Sequence, residues 1–191
     1  MVHSQKHFKK FSNGRQGSTE NLFTRMQIKI DQYRNPWRKK DGIIFLHFDF
    51  YNSACSTKQL KRLQAAVKEI SRDEDVNTVV LMGGSTYFCN GINLNTIEAA
   101  QNPAEESWLN INAIDDVILE FLKLKSKCII ANLARNAGAG GVMMALAADI
   151  VLSNREIILN PAYSGMGLYG SEYWTYFLPE RALRNRSPVV K

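Results

Sequence analysis

Two short turns of small residues, far apart in the chain, constrain this sequence more than any other feature. The first is Phe88-Cys89-Asn90-Gly91-Ile92-Asn93-Leu94, and the second is Asn136-Ala137-Gly138-Ala139-Gly140-Gly141. Each follows an apolar run, Val76 to Met82 and Cys128 to Leu133, and each can lead into a helix. Turns of this composition leave backbone N–H groups facing outward where a ligand can approach without meeting a side chain. At the second turn the helix dipole adds attraction for negative charge. Alone, neither turn is specific. Gly138-Ala139-Gly140-Gly141 could cradle a phosphate, but the dinucleotide fingerprint needs a glycine where Met143 stands, and no P-loop lysine follows. Small residues also simply let a helix pack tightly on a strand.

The surrounding pattern alternates strands and helices. Ile43 to Phe50 is apolar and aromatic, as expected of a buried strand. Ser56 offers an N-cap, and Leu60, Leu63, Val67 and Ile70 then form one apolar stripe at helical spacing. Asn102-Pro103 opens a long helix whose inner face is read as Trp108, Ile111, Ile114, Ile118 and Phe121. A helix of small residues is expected over Val142 to Ala148, with short strands at Asp149 to Ser153 and Glu156 to Leu159. This rhythm predicts a layered α/β fold with sheets buried on both sides.

The chain has 191 residues, room for one good core. Its net charge of +6 is unevenly placed. Residues 1–40 hold ten Lys and Arg against Glu20 and Asp31, a net of +8, so the remainder carries −2. The expected organisation is a basic, largely irregular linker or domain edge at 1–41, a core at 42–180 and a basic tail at 181–191. A basic arm without a nucleic-acid-binding motif argues weakly for nucleic acid as a partner. No apolar run approaches the ~18 residues a membrane span needs. No apolar stretch follows the first residues, which argues against a secretory leader and for the cytoplasm. Cys55, Cys89 and Cys128 are odd in number and widely spaced. With His3, His7 and His47 they show no metal-ligand spacing, so no metal site is expected and the cysteines read as buried thiols.

Taken as a pair, with the helix and strand between them, the two turns resemble those of the crotonase (enoyl-CoA hydratase/isomerase) superfamily. There the first turn reads roughly F-x-x-G-x-D/N-L. The second leads into a small-residue helix ending in aspartate, here Asp149. The resemblance covers about residues 43–179 and implies a crotonase (ClpP/crotonase-like) spiral of ββα units acting on coenzyme A thioesters. It implies backbone donors at Ile92 and Gly140 for the thioester oxygen, with Asn90, Gly91, Gly138 and Gly141 as the cofactor-binding residues around them, the Asn90 and Asn93 side chains serving more to support their turn than to touch substrate. Two fixed donors suit this chemistry because negative charge develops on that oxygen, and losing one such donor costs about 3–4 kcal/mol.

Hydratases of the superfamily carry two glutamates where this chain has Met143 and Ala162, so ordinary water addition is not expected. The block Asn160-Pro161-Ala162-Tyr163, with Glu172, Glu106 to Asp116 and His47 to Asn52, is similar to the C-terminal domain of hydrogenase maturation factors of the HypX/HoxX family. Members place a formyl-transferring domain ahead of this one. The resemblance therefore implies formyl-CoA as substrate, carbon monoxide as product and a formyl-transferase domain or subunit as partner. It nominates Glu172 as the base for the formyl proton, or as the group that positions one, and Tyr163 as a hydrogen-bond donor or proton relay. The residue-level alternatives are a helix-terminal acid and a core tyrosine. Arg135 could meet a CoA phosphate, and Trp108, Trp174, Tyr173 and Tyr176 read as packing residues. Crotonase domains continue for several helices beyond the region matched by Pro179, so truncated C-terminal helices and an exposed apolar face are expected, with homo-oligomerisation as one way to cover it. Other readings are a non-catalytic CoA-binding relic, or a hydratase/isomerase-type enzyme of different specificity.

Overall fold

A computed structural model describes residues 37–184. Its strands are β1 (Trp37–Lys40), β2 (Ile43–His47), β3 (Thr78–Gly83), β4 (Cys128–Leu133), β5 (Ala137–Gly138), β6 (Ile150–Ser153) and β7 (Leu159–Asn160). The helices are α1 (Thr57–Arg72), α2 (Leu94–Glu98), α3 (Pro103–Lys123), α4 (Gly140–Leu146) and α5 (Trp174–Arg184). A five-stranded sheet has the order β1-β2-β3-β4-β6, parallel except for the antiparallel β1–β2 pair. A second, two-stranded parallel sheet joins β5 to β7.

Local chemistry explains where the helices begin. Ser56 and Gln59 form a reciprocal capping box at the start of α1. The Asn102 side chain accepts the Glu105 amide at 3.2 Å, and Pro103 takes the first position of α3, where a missing N–H costs nothing. The apolar stripes of α1 (Leu60, Leu63, Val67, Ile70) and α3 (Ile114, Val117, Ile118, Phe121) are buried on one face of the sheet, against Ile44, Leu46, Val79, Leu81 and Ile129. Each such side chain contributes about 1.5–3 kcal/mol of burial free energy. At the mouth of β4, the Asp149 carboxylate accepts the Ile129 amide at 2.8 Å, so the aspartate that ends the small-residue motif ties β6 to β4.

Several sequence expectations change. The first strand begins at Trp37, within the segment expected to be irregular, because Trp37–Lys40 pairs as an edge with Ile43–Leu46. Residues 1–36, with His3 and His7, lie outside the described residues, as do 185–191 of the expected basic tail. Helix α5 runs through 181–184, the first residues of the expected basic tail. Burial alternates along β2, β3 and β4 instead of being complete on both faces, since α1 and α3 cover one face. On β6 and β7, Ile150, Leu152 and Leu159 remain exposed. Helix α4 starts at Gly140, two residues before the expected Val142. The strand expected over Glu156 to Leu159 shrinks to Leu159–Asn160, because Asn154 turns the chain by accepting the Glu156 amide at 2.9 Å. Trp108 does not line the inner face of α3 but is 68% exposed, and Tyr173 and Tyr176 are also exposed. Among the described residues no helix is long and apolar enough to cross a membrane.

Candidate active site

The two Gly-rich turns come together in space. The Phe88 amide donates to the Asn136 carbonyl at 2.8 Å, and the Gly138 amide donates to the Cys89 carbonyl at 3.0 Å. Behind the first turn, the Cys55 amide donates to the Gly91 carbonyl at 2.8 Å while the Asn93 amide donates to the Cys55 carbonyl at 3.0 Å. This parallel bridge engages the residues on either side of Ile92 and turns the Ile92 N–H away from Cys55. In the second turn, Ala139 holds φ 44° and ψ −132°, a sparsely populated conformation that sets the plane of the Ala139–Gly140 peptide. Among the described residues, neither the Ile92 nor the Gly140 amide donates to a backbone carbonyl. Both residues line one cavity of about 800 Å³.

The glycines of this junction are there for space. A Cβ on Gly91, which has φ +78°, would lie 3.0 Å from both the Gly140 nitrogen and the Ala139 Cβ. On Gly140 it would collide with the Glu172 Oε1 atom. Gly138 leaves room for the Asn90 side-chain oxygen, and Gly141 for the Cys89 carbonyl. Asn90, itself exposed, donates its amide to the Ser53 carbonyl at 2.7 Å, so it braces the first turn. Asn93 caps α2 by accepting the Thr96 amide at 3.2 Å.

Tyr163 and Glu172 reach the same cavity from the chain after β7. The Tyr163 hydroxyl donates to Glu172 Oε2 at 2.7 Å, and the Ser171 amide donates to the same oxygen at 2.8 Å. Glu172 stands two residues ahead of α5 and is only 4% exposed, so its carboxyl is turned inward. Burial raises its pKa above the usual carboxylate range, against the stabilising hydrogen bonds from Tyr163 and Ser171. Burial, and then the Glu172 charge, push the Tyr163 phenol far above its ordinary value, so it works as an O–H donor and not as a phenolate. The cavity thus brings together two residues whose amides are not spent on backbone carbonyls and a buried carboxyl held by Tyr163, an arrangement of the type that can bind an oxygen and accept a proton.

Three further side chains carry information. Met143 is buried within α4, and Ala162 sits on the cavity wall, so no carboxylate stands at either place. Arg135 does not turn to the cavity; its guanidinium donates to the Ser85 and Ala134 carbonyls at 3.1 and 3.0 Å. Cys55 and Cys89 are buried, whereas Cys128 is only partly so. Among the described residues no group of three or more His, Cys, Asp or Glu side chains is placed to hold a metal ion.

Sequence reasoning missed two residues of α3. Asn110 is fully buried and donates to the Cys55 carbonyl at 3.2 Å, reinforcing the bridge behind Ile92. Asp115 accepts the Glu172 amide at 2.8 Å. Their signal was a polar residue one turn from Ile111 and Ile114 on an otherwise apolar stripe, where burying it is costly unless it bonds.

Comparison with known proteins agrees with this geometry. Residues 38–186 match the Enoyl-CoA hydratase/isomerase family. The hydrogenase maturation factor HoxX of Bradyrhizobium diazoefficiens is 47% identical over 147 residues, covering 76% of this chain and 26% of HoxX. The crystal structure of HypX from Aquifex aeolicus in complex with tetrahydrofolic acid superposes with a TM-score of 0.73 at 50% identity, covering 78% of this chain and 27% of HypX. An enoyl-CoA hydratase from Polaromonas sp. JS666 shares the fold, with a TM-score of 0.67 at 22% identity over 77% of this chain and 59% of its own. The chain thus spans about a quarter of the HoxX and HypX proteins it matches. With a crotonase fold, two laced Gly-rich turns and a family match over most of its length, this chain belongs to the enoyl-CoA hydratase/isomerase (crotonase) family and within it resembles HypX and HoxX.

Proposed function

We propose that this chain binds formyl-CoA and releases carbon monoxide from it, as a lyase of the HypX kind serving hydrogenase maturation. The observation that carries this reading is the placement of one buried carboxyl: Glu172 fills the space beside Gly140 while accepting the Tyr163 hydroxyl. The thioester oxygen sits between the Ile92 and Gly140 amides, which polarise the carbonyl without rearranging. Asn90, Gly91, Gly138 and Gly141 hold those amides in place. Glu172, as carboxylate, takes the formyl hydrogen as a proton. The C–H electron pair stays on carbon, the C–S bond breaks with its pair on sulfur, and carbon monoxide leaves. The proton then returns from Glu172 to the thiolate, with Tyr163 steadying the carboxyl, so formyl-CoA becomes carbon monoxide and free CoA. A buried acid with a raised pKa suits this step, because a stronger base takes a weakly acidic proton more readily.

The missing hydratase carboxylates at Met143 and Ala162 support this reading over water addition. The formyl group is supplied by a formyl-transferring domain or subunit, the whole acting in the cytoplasm. The test is carbon monoxide release from formyl-CoA by the full chain, alongside calorimetry with CoA. CoA binding without carbon monoxide would leave a non-catalytic binding protein. Turnover of a crotonyl thioester in its place would make the chain a hydratase/isomerase-type enzyme. No heat with CoA would overturn the thioester site itself.

A further inference from the structure

The chain reverses sharply just before α5, at two consecutive residues with left-handed backbone: Glu172 has φ +48° and Tyr173 has φ +53°. Neither is a glycine, so both carry steric strain that something else must offset. The reversal sends the Glu172 side chain back against Gly140 while Trp174 begins α5. The Glu172 amide donates to the Asp115 carboxylate on α3, 2.8 Å away. Asp115 is half-buried on α3 and follows Ile114, whose Cδ1 lies 3.0 Å from a Cβ placed on Gly140.

An asparagine would satisfy that amide equally well through its own oxygen. An aspartate is the more costly choice, because its charge is partly buried and stands near a second buried acid. We infer that Asp115 is the positioning residue of Glu172: its carboxylate fixes the strained turn that aims the Glu172 carboxyl at the thioester carbon, and its charge strengthens that carboxyl as a base. This rests on the proposed role of Glu172 as proton acceptor. Burial raises the Asp115 pKa, while the Glu172 amide bond opposes that rise. The groups facing Glu172 are Tyr163 from the segment after β7, Ser171 before it in the chain, Asp115 from α3 and Cys55 ahead of α1. Asp115 supplies a like charge among them, and a like charge disfavours ionisation of its neighbour.

The test compares the full chain with D115N and D115A, reading carbon monoxide release from formyl-CoA across pH. In parallel, 13C NMR of glutamate side-chain carboxyls, assigned with E172Q, follows Glu172 itself. D115N keeps the amide bond, so it retains the fold. Its Glu172 midpoint moves to lower pH, and the acid limb of kcat/KM moves with it. D115A loses the anchor, and kcat falls roughly 100-fold, the scale of a ~1 Å misplacement, with KM little changed. An unmoved Glu172 midpoint in D115N, or a D115A enzyme with unaltered kcat, would overturn the inference. If the parent chain releases no carbon monoxide while D115N still shifts the midpoint, the proposed reaction falls and the electrostatic coupling of Asp115 to Glu172 stands.

Discussion

The Tyr163 hydroxyl and the Glu172 carboxylate are joined at 2.7 Å on the wall of the cavity that Ile92 and Gly140 also line, with the carboxylate packed against Gly140. An acceptor so close to its donor, with a second bond from the Ser171 amide at 2.8 Å, has little rotational freedom left. The carboxyl is fixed before any substrate arrives.

Replacing Glu172 with glutamine therefore tests chemistry with little change in shape. A glutamine can still accept from Tyr163 and Ser171 but cannot take a proton. Carbon monoxide release should fall by about 10²–10⁴-fold, the usual scale for losing a general base. CoA affinity, measured by calorimetry, should stay within about threefold, less than the 1.4 kcal/mol that a tenfold change represents. Equal rates in E172Q and the parent would remove Glu172 from the reaction.

Tyr163→Phe should change the pH profile in a definite direction. The hydroxyl donates to the ionised carboxyl and so favours ionisation. Without it the Glu172 pKa climbs further, and the acid limb of kcat/KM moves to higher pH. A limb that stays in place, or moves down, would mean that Tyr163 does not act through Glu172.

Gly91→Ala should damage the site through the backbone. The new methyl would sit 3.0 Å from the Gly140 nitrogen, at a φ of +78° that alanine adopts reluctantly. The expected cost is about 1–3 kcal/mol of stability in urea. Binding of a stable acyl-CoA analogue should weaken by more than binding of CoA alone, because in the proposed site the acyl oxygen is the group that meets the two amides. Equal weakening of both ligands would argue that the turn does not contact the carbonyl.

Stability should also depend on pH in a way set by Glu172. Its folded-state pKa lies above the ordinary carboxylate value, chiefly through burial. Such a group contributes its full stability below the unfolded pKa, where both states are protonated. That contribution is lost as pH rises through the raised folded value. E172Q should thus raise Tm at neutral pH and flatten the decline between mildly acidic and neutral conditions. Thermal melts across that range check it, and parallel curves for the two proteins would show that Glu172 ionisation is not felt by the fold.

Much of the architecture was legible in the residues. The Leu60-Leu63-Val67-Ile70 stripe and the Asn102-Pro103 start are local signals, and α1 and α3 lie where they point. The chain Cys128–Leu133 is a strand as its apolar run indicates. The edge strand at Trp37–Lys40 was hidden because its sequence, Trp-Arg-Lys-Lys, carries no strand alternation and gains its order from pairing with β2. Trp108 misled because helical spacing gives a face but not what covers it. At the site, the two turns were visible through their small residues, and Tyr163 with Glu172 through likeness to a family. Asn110 and Asp115 were not, since a polar side chain on an apolar stripe becomes meaningful once the partner it bonds is known.

The lacing of Phe88 to Asn136 and of Gly138 to Cys89 has a kinetic side. Contacts between segments so far apart along the chain form late, after the entropy of closing a long loop has been overcome. Neither turn alone holds a pair of facing amides. Ligand-binding competence should therefore arrive with the final cooperative docking of β4 and α4 onto β3, and a nascent or partly unfolded chain should have no affinity for a thioester at all.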